Sequence, residues 1–154
     1  MLIRDFYQGQ IISASKDTSI KEAALLMAAK GVGFIVVTTT STNSTPIGVI
    51  TDRDLVIKSL ALGLSSETKI ETIIGKNLFT IESYQSVGDA VDLMSKFKVR
   101  RLVVLDHAGH AWSVISSDDI LGYFCNQLKK IGEIFKSQDG GSARNQTHDY
   151  TRMA

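Results

Sequence analysis

Residues 48–55, Gly-Val-Ile-Thr-Asp-Arg-Asp-Leu, return 65 positions later as Ser-Val-Ile-Ser-Ser-Asp-Asp-Ile at 113–120. In both segments an apolar run leads to a hydroxyl residue, Thr51 or Ser116. A carboxylate follows three residues later, Asp54 or Asp119. This spacing is typical of the start of a helix, because hydroxyl and carboxylate can satisfy the backbone N–H groups there. The recurrence predicts a chain built from two copies of one unit.

The repeat extends upstream of these segments with an offset of 67 residues. Ile3 falls on Ile70, and Ser19 falls on Ser86. A two-residue difference in one hairpin loop explains the later offset of 65, since loops tolerate such changes. We therefore predict a paired module at 1–136, with repeat one at 3–66, repeat two at 70–132, and a polar C-terminal tail at 137–154.

Local patterns within each copy predict a helical lead-in, a strand, a helix, two strands and a final helix. Ser19 and Glu22 have the spacing of a capping box, and Gly31 stands where a helix ends in a left-handed residue. The apolar runs 34–37 and 102–105 suit strands buried on both faces. A unit of about 60 residues is marginal alone. We expect an α/β (α+β) fold in which two β-α-β-β-α repeats pack about a pseudo-two-fold axis.

Composition excludes several classes of protein. The chain has 154 residues, of which 44% are hydrophobic and 21% charged, and a net charge of +1, so the bulk is not disordered. The near-zero charge gives no general attraction to nucleic acid or to anionic membranes. The single cysteine, Cys125, excludes an internal disulfide framework and indicates a reducing compartment. We predict a cytoplasmic protein without a membrane span, without a metal site and without catalytic activity, since no nucleophile–base set has suitable spacing.

Polar residues of two kinds could meet at a ligand site. A hydroxyl at a helix start can donate to a phosphate, and a carboxylate one turn later can accept from ribose hydroxyls. A basic cluster enters a strand of the second copy, and arginine suits phosphate oxygens; it comprises Lys96, Lys98, Arg100 and Arg101. Two alternatives stay open from the residues alone. The Thr/Ser-x-x-Asp pairs could be helix caps only, and the arginines could form a solvated face or pair with Asp118 or Asp119.

The doubled pattern resembles the CBS domain, the repeat named after cystathionine beta-synthase. The likeness covers about residues 3–132 and rests on both Thr/Ser-x-x-Asp segments, on Arg100-Arg101-Leu-Val-Val, and on the two helix patterns that begin at Ser19 and Ser86. The resemblance implies a Bateman module with two clefts that bind adenosine ligands such as AMP, ADP, ATP or S-adenosylmethionine. It also implies a homodimer and a regulated protein partner.

The resemblance further implies a role for individual residues. Asp54 and Asp119 would hold ribose, one in each cleft, with Thr51 and Ser116 at the phosphate end. Arg100 and Arg101 would contact phosphate, with Arg53 assisting in the first cleft. Two pairs at the end of each repeat's first strand would flank the base: Ser13 with Ala14, and Thr80 with Ile81.

The two copies also differ, which bears on how many ligands bind. The first copy has Gly33-Phe34 where the second has Arg100-Arg101, so we predict unequal occupancy of the two clefts. Ser113 replaces the family's glycine beside Trp112, which either fills the core or stacks on a ligand.

The function predicted from the sequence is a regulatory adenine-nucleotide sensor (AMP, ADP or ATP) that acts by ligand-linked conformational change. No obligatory cofactor is expected. The alternative is a ligand-free module for protein interaction and dimerisation. Nucleic-acid binding through the basic cluster is the third hypothesis, and the near-neutral net charge argues against it.

Overall fold

The structure is a computed structural model that describes residues 1–6, 11–41, 45–75 and 77–142, with side chains as far as residue 137. Repeat one contains helix α1 and strand β1, then helix α2 and strands β2 and β3, and ends in helix α3, which continues as a π-helix. A 3₁₀ helix opens repeat two, followed by β4, α4, β5, β6 and α5. The bounds are α1 Ile3–Phe6, β1 Ser13–Ser15, α2 Ile20–Lys30, β2 Phe34–Thr38, β3 Pro46–Thr51, α3 Asp52–Asp54, the π-helix Leu55–Leu60, the 3₁₀ helix Ile70–Thr72, β4 Thr80–Glu82, α4 Val87–Phe97, β5 Arg101–Leu105, β6 Ala111–Ser116 and α5 Ser117–Ser142.

Each repeat forms its own three-stranded sheet. The strand orders are β1-β2-β3 and β4-β5-β6. In both sheets the first pair is parallel and the second antiparallel. The register places Phe34 opposite Thr51 in one sheet and Arg101 opposite Ser116 in the other. The predicted mixed α/β repeat is therefore confirmed. The two sheets also share an irregularity of register near the end of β2 and of β5.

The two repeats exchange their lead-in segments. The Ile3 N–H donates to the Gln85 carbonyl at 2.9 Å, and the Ile70 N–H donates to the Thr18 carbonyl at 2.9 Å. Ile70 is the counterpart of Ile3 and Gln85 is the counterpart of Thr18, each at the repeat offset of 67 residues. Ile3 and Ile70 are fully buried. The lead-in of each repeat thus makes the equivalent hydrogen bond to the other repeat, as a pseudo-two-fold axis requires.

Strands β2 and β5 are largely buried on both faces, as their continuous apolar runs predict. Ile35 and Val37 pack in a cluster with α2 and the 3₁₀ helix. Val36, between them in sequence, joins a second cluster with Val103 and Ala111 of the other repeat. Alternate residues of one strand thus contribute to two cores. The second core joins the two sheets.

Helix boundaries follow the sequence signals. Ser19 with Glu22 and Ser86 with Asp89 form the predicted capping boxes. Gly31 ends α2 in the left-handed region with φ of 63°. At the C-terminus α5 extends to Ser142, so the first six residues of the predicted polar tail are helical. The rest of that tail, 143–154, lies outside the described residues.

By contacts the chain divides into two compact units, Met1–Ser117 and Asp118–Ala154. In the described part of the chain no helix is long and apolar enough to cross a membrane.

Candidate functional site

A cavity of about 580 Å³ lies within the first compact unit, where the two repeats meet. Repeat one contributes Phe34 from β2, Val49 and Thr51 from β3, and Arg53 from α3. Repeat two contributes the remaining walls from the approach to β4, the end of α4 and the start of β5: Asn77, Phe79, Lys98, Val99, Arg100, Arg101 and Val103. We call this cavity the basic cleft.

Local structure explains why cations gather there. Helix α4 ends at Phe97 and strand β5 begins at Arg101, so the connection between them is only three residues long. The Val99 N–H donates back to the Met94 carbonyl at 3.1 Å, which holds this connection against the helix end. This short, hydrogen-bonded segment therefore places three cations on one wall of the cleft: Lys98, Arg100 and Arg101. The cleft faces the β3–α3 junction of repeat one, which supplies Arg53.

The charge of the basic cleft is strongly positive. Arg53, Lys98, Arg100 and Arg101 line it, and no acidic residue is among the described residues that do. The Arg101 guanidinium lies 5.6 Å from the centre of the Phe34 ring, within the range of a cation–π contact. Cations in a concave, partly apolar site concentrate the local field. The cleft is thus built to receive an anion.

Lys98 has an unusual backbone conformation for its residue type. Its φ is 57°, and it is the one non-glycine residue in the described segments with positive φ. The equivalent residue of repeat one is Gly31, which ends α2 with nearly the same dihedral angles. A side chain in this conformation costs free energy that glycine avoids. Strained residues of this kind concentrate at functional sites, and Lys98 lines the cleft.

Gly33, the counterpart of Arg100 in repeat one, occupies a confined position. A Cβ added to it would lie 2.7 Å from Oδ2 of Asp52. In repeat one a carboxylate therefore packs against the residue whose counterpart in repeat two is an arginine. The predicted difference between the copies is thus also a difference in local packing and charge.

Thr51 and Asp54 form the helix cap that their spacing predicts. Oδ2 of Asp54 accepts from the Thr51 N–H at 2.9 Å and from the Thr51 hydroxyl at 2.8 Å. Oδ1 of Asp54 pairs with Nζ of Lys58 at 2.8 Å. Burial opposes ionisation of Asp54, but the hydrogen bonds from Lys58 and Thr51 hold the pKa of its carboxyl below the ordinary value. Asp54 is not among the described residues that line the basic cleft.

The corresponding pair of repeat two is split between the two compact units. Ser116 ends β6 opposite Arg101 and is half-buried. Asp119 lies in the first turn of α5 and is half-buried too.

The residues expected to flank the base are not brought to the basic cleft. Ser13 and Ala14 line a separate cavity of about 350 Å³, together with Glu22 and Thr38. Thr80 and Ile81 lie in β4, beside that wall of the cleft, and Ile81 is buried. Both pairs open their strands rather than end them.

Seven residues that line the cleft were not among the predicted site residues: Phe34, Val49, Asn77, Phe79, Lys98, Val99 and Val103. Asn77 and Phe79 lie just before β4, which begins at Thr80. The base-flanking role of Thr80 and Ile81 stays a prediction. The aromatic Phe79 directly before the strand was the available signal. Within the described residues, no three His, Cys, Asp or Glu side chains are arranged to hold a metal ion.

Comparison with known sequences identifies the repeat. Residues 3–60 and 70–126 each match the family model of the CBS domain. The protein MK0525 of Methanopyrus kandleri is 33% identical over 112 residues, which are 72% of this chain and 56% of that protein. The CBS domain-containing protein YhcV of Bacillus subtilis is 30% identical over 104 residues, 68% of this chain and 72% of YhcV. An inosine-5'-monophosphate dehydrogenase of Nitrosopumilus maritimus is 29% identical over 108 residues, only 21% of its length. The chain thus spans little more than half of the Methanopyrus protein and matches the enzyme over a small part.

Solved structures share the fold. A CBS domain protein from Pyrobaculum aerophilum, complexed with AMP, superposes with a TM-score of 0.68 at 23% identity, covering 77% of this chain and 89% of that chain. The CBS domain pair of protein MJ0100, in complex with 5'-methylthioadenosine and S-adenosyl-L-methionine, superposes with a TM-score of 0.69 at 25% identity, covering 80% and 99%.

Proposed function

The chain belongs to the CBS domain family, and we propose that it is a regulatory module that binds an adenine nucleotide in the basic cleft. The observation that carries the proposal is the set of four cations lining one cavity: Arg53, Lys98, Arg100 and Arg101. Relatives of the same fold are complexed with AMP, or with 5'-methylthioadenosine and S-adenosyl-L-methionine. The volume of about 580 Å³ falls in the range of small-molecule sites.

The cleft has both cationic and apolar lining residues, which suit the phosphates and the base of a nucleotide respectively. Arginine side chains can hold phosphate oxygens by paired hydrogen bonds, and the Thr51 hydroxyl can donate to another. Phe34, Phe79 and Val49 provide apolar surface on which a base can pack. The ribose contact of Asp54 stays a prediction, because this carboxylate caps the helix and is not among the described residues that line the cleft. Asn77 adds an amide that would hydrogen-bond the base.

The charge of the cleft favours a particular ligand among the adenosine compounds. Four cations can offset the three to four negative charges of a di- or triphosphate, whereas AMP carries about two. S-adenosylmethionine carries a sulfonium cation, which the same groups would repel. We therefore propose the order ATP or ADP, then AMP, then S-adenosylmethionine. ADP or ATP would act as a regulatory ligand rather than as an obligatory cofactor.

Only one tight site per chain is proposed. In the sequence, the positions equivalent to Lys98 and Arg100 are Gly31 and Gly33, and the position equivalent to Arg53 is Asp118. The sequence thus offers three fewer cations and one more carboxylate at the equivalent positions. Phosphate affinity there would be far lower.

The proposed mechanism is linkage and requires no catalysis. Phosphate binding brings together cations from both repeats that otherwise repel one another, so the ligand favours the arrangement in which they converge. The reciprocal exchange of lead-ins would carry that change between the repeats. A homodimer and a regulated protein partner complete the proposal, and the cytoplasmic location stays a prediction.

One observation favours the alternative of a ligand-free interaction module. Both oxygens of Asp54 are already engaged by Thr51 and Lys58, so this carboxylate has a structural role without any ligand. In that case the cations would serve only to attract an acidic protein surface.

A thermal-shift panel distinguishes the two functions. ATP, ADP, AMP, GTP and S-adenosylmethionine are added to the wild type, to Arg100→Ala and to Lys96→Ala, which removes an exposed cation outside the cleft. A ligand at about 100 times its Kd adds roughly 2.7 kcal/mol, or about 5–10 °C in Tm at this length. We expect that rise with ATP for the wild type and Lys96→Ala, and a much smaller one for Arg100→Ala. No shift with any ligand at millimolar concentration would favour the interaction module.

A further inference from the structure

Lys58 contacts both repeats from a position outside the basic cleft. It lies on the π-helix that follows α3, and it is not among the described residues that line the cleft. Its Nζ pairs with Oδ1 of Asp54 at 2.8 Å and donates to the Ile73 carbonyl at 3.2 Å. Asp54 ends α3 of repeat one, whereas Ile73 directly follows the 3₁₀ helix that opens repeat two. One ammonium group thus joins the two repeats within the first compact unit.

The two segments that Lys58 joins also supply walls of the basic cleft. The cleft residues nearest to them in sequence are Thr51, Arg53, Asn77 and Phe79. The first two come just before Asp54, and the last two come shortly after Ile73. Since Lys58 does not line the cleft, any effect of this lysine on a ligand must pass through these walls.

Residues 73–75 lie tightly against β3. The Gly75 N–H donates to the Val49 carbonyl at 3.1 Å, and Val49 itself lines the cleft. Gly48 permits this approach, because a Cβ added to it would lie 3.1 Å from the Gly75 carbonyl oxygen and 3.3 Å from Cδ1 of Ile74. Ile73 is buried in the core cluster that contains α2 residues. Closely packed segments transmit strain, so a displacement at the Ile73 carbonyl would reach the cleft wall that follows it.

The sequence offers this arrangement in repeat one but not in repeat two. The counterparts of Lys58 and Gly48, at the offset of 65, are Tyr123 and Ser113. An ammonium group has three N–H donors and can serve a carboxylate and a carbonyl together, whereas a phenol has one O–H donor. Serine also carries a Cβ, for which the close approach at Gly48 leaves little room. This asymmetry has the same sense as that of the cations, and both favour one tight site per chain.

We propose that Lys58 is a positioning residue for the basic cleft. By holding the Asp54 carboxylate and the Ile73 carbonyl together, it sets the separation of the two walls between which a nucleotide binds. The inference rests on the proposed binding of a nucleotide in this cleft. Because Lys58 acts on the walls, its loss should weaken ATP and AMP by a similar factor. The salt dependence of binding should stay unchanged, since it reflects the cations beside the phosphates.

Isothermal titration with ATP and AMP at several salt concentrations compares Lys58→Met with a matched control, Lys69→Met. Lys69 pairs with Asp17 at 2.6 Å, so it also joins a carboxylate of repeat one to the lead-in of repeat two. Both lysines are partly exposed, at 39% and 54%, so both variants should remain folded, which circular dichroism checks. We expect Lys58→Met to bind both nucleotides about three- to thirtyfold more weakly, as for a residue that acts without touching the ligand.

The controls separate positioning from charge and from general stability. Lys69→Met should bind both nucleotides as the wild type does. Lys58→Arg keeps several N–H donors and should retain most of the affinity. Hydrogen exchange of the Gly75 amide is a readout that needs no ligand: it should quicken in Lys58→Met and not in Lys69→Met, because the bond to Val49 opens more often.

The possible failures are distinguishable. A wild type that binds no nucleotide overturns the proposed function and the positioning role with it. A wild type that binds ATP no better than Lys58→Met overturns the role of Lys58 alone. Unchanged exchange at Gly75 overturns that role too. So does a loss of affinity confined to ATP with a shallower salt dependence, since Lys58 would then act through its charge on the phosphates.

Discussion

Replacing Lys98 by glycine should separate the stability of the fold from the affinity of the basic cleft. Lys98 has φ of 57° and ψ of 38°, and its counterpart Gly31 has 63° and 33°. A side chain in this left-handed conformation costs about 1–2 kcal/mol. The glycine variant avoids that cost. Glycine also makes the unfolded chain more flexible, which lowers the free energy of unfolding by about 0.4–1 kcal/mol. The net expectation is a variant more stable by about 0.5–1 kcal/mol.

Calorimetry measures both consequences of Lys98→Gly. Without ligand, Tm should rise by about 1–4 °C at this chain length. Binding of ATP should weaken by roughly three- to tenfold, because one cation near the phosphates is worth about 1 kcal/mol at a solvated site.

Lys98→Ala is the matched control, since it removes the same charge and keeps a side chain in the left-handed conformation. It should lose the same affinity for ATP without the rise in Tm. Lower stability of Lys98→Gly than of wild type would refute the strain argument. Unchanged ATP affinity in both variants would refute the assignment of Lys98 to the ligand site.

Three further predictions concern the cap, the exchanged lead-ins and the charge of the cleft. Because the folded-state pKa of Asp54 is lowered, its contribution to stability is present at neutral pH. That contribution fades as pH falls from about 4 through the folded pKa. Unfolding curves measured at several pH values should show that Asp54→Asn lowers the free energy of unfolding by about 1 kcal/mol at pH 7 and by less below pH 4. Equal losses at both pH values would contradict this. Ile70→Ala should lower the free energy of unfolding by about 2–4 kcal/mol, and Ile3→Ala by a similar amount, in urea denaturation; a loss below 1 kcal/mol at either would argue against the exchanged pairing. ATP affinity should fall steeply between 50 and 500 mM salt in wild type and less steeply in Arg100→Ala; equal slopes would remove Arg100 from the site.

The repeat architecture was predictable because each of its signals is local in sequence. The capping boxes at Ser19 and Ser86 and the buried runs of β2 and β5 depend on residues a few positions apart. The offset of 67, which becomes 65 after one hairpin loop, then indicated that the second copy has the fold of the first. Even the asymmetry between Gly33 and Arg100 could be recognised by aligning the copies.

The walls of the basic cleft were less predictable, because they depend on tertiary geometry. Lys98 lines the cleft in a backbone conformation that its residue type disfavours, which the sequence does not reveal. In the sequence it was part of a cluster of basic residues that resembled a solvated charge run. Phe79 lines the cleft from the position just before β4, where the sequence has no helical or strand-like hydrophobic periodicity. The pairing of Lys58 with Asp54 relies on the helix that follows the cap. The exchange of lead-ins was also hidden, because it joins segments more than 50 residues apart.

The central claim is that one nucleotide binds per chain in the basic cleft, and the stoichiometry of ATP binding tests it most directly. Isothermal titration of the wild type should give one site per chain, and Arg100→Ala should weaken that site while Lys96→Ala does not. Two equal sites per chain, or one site that is indifferent to Arg100, would contradict the account.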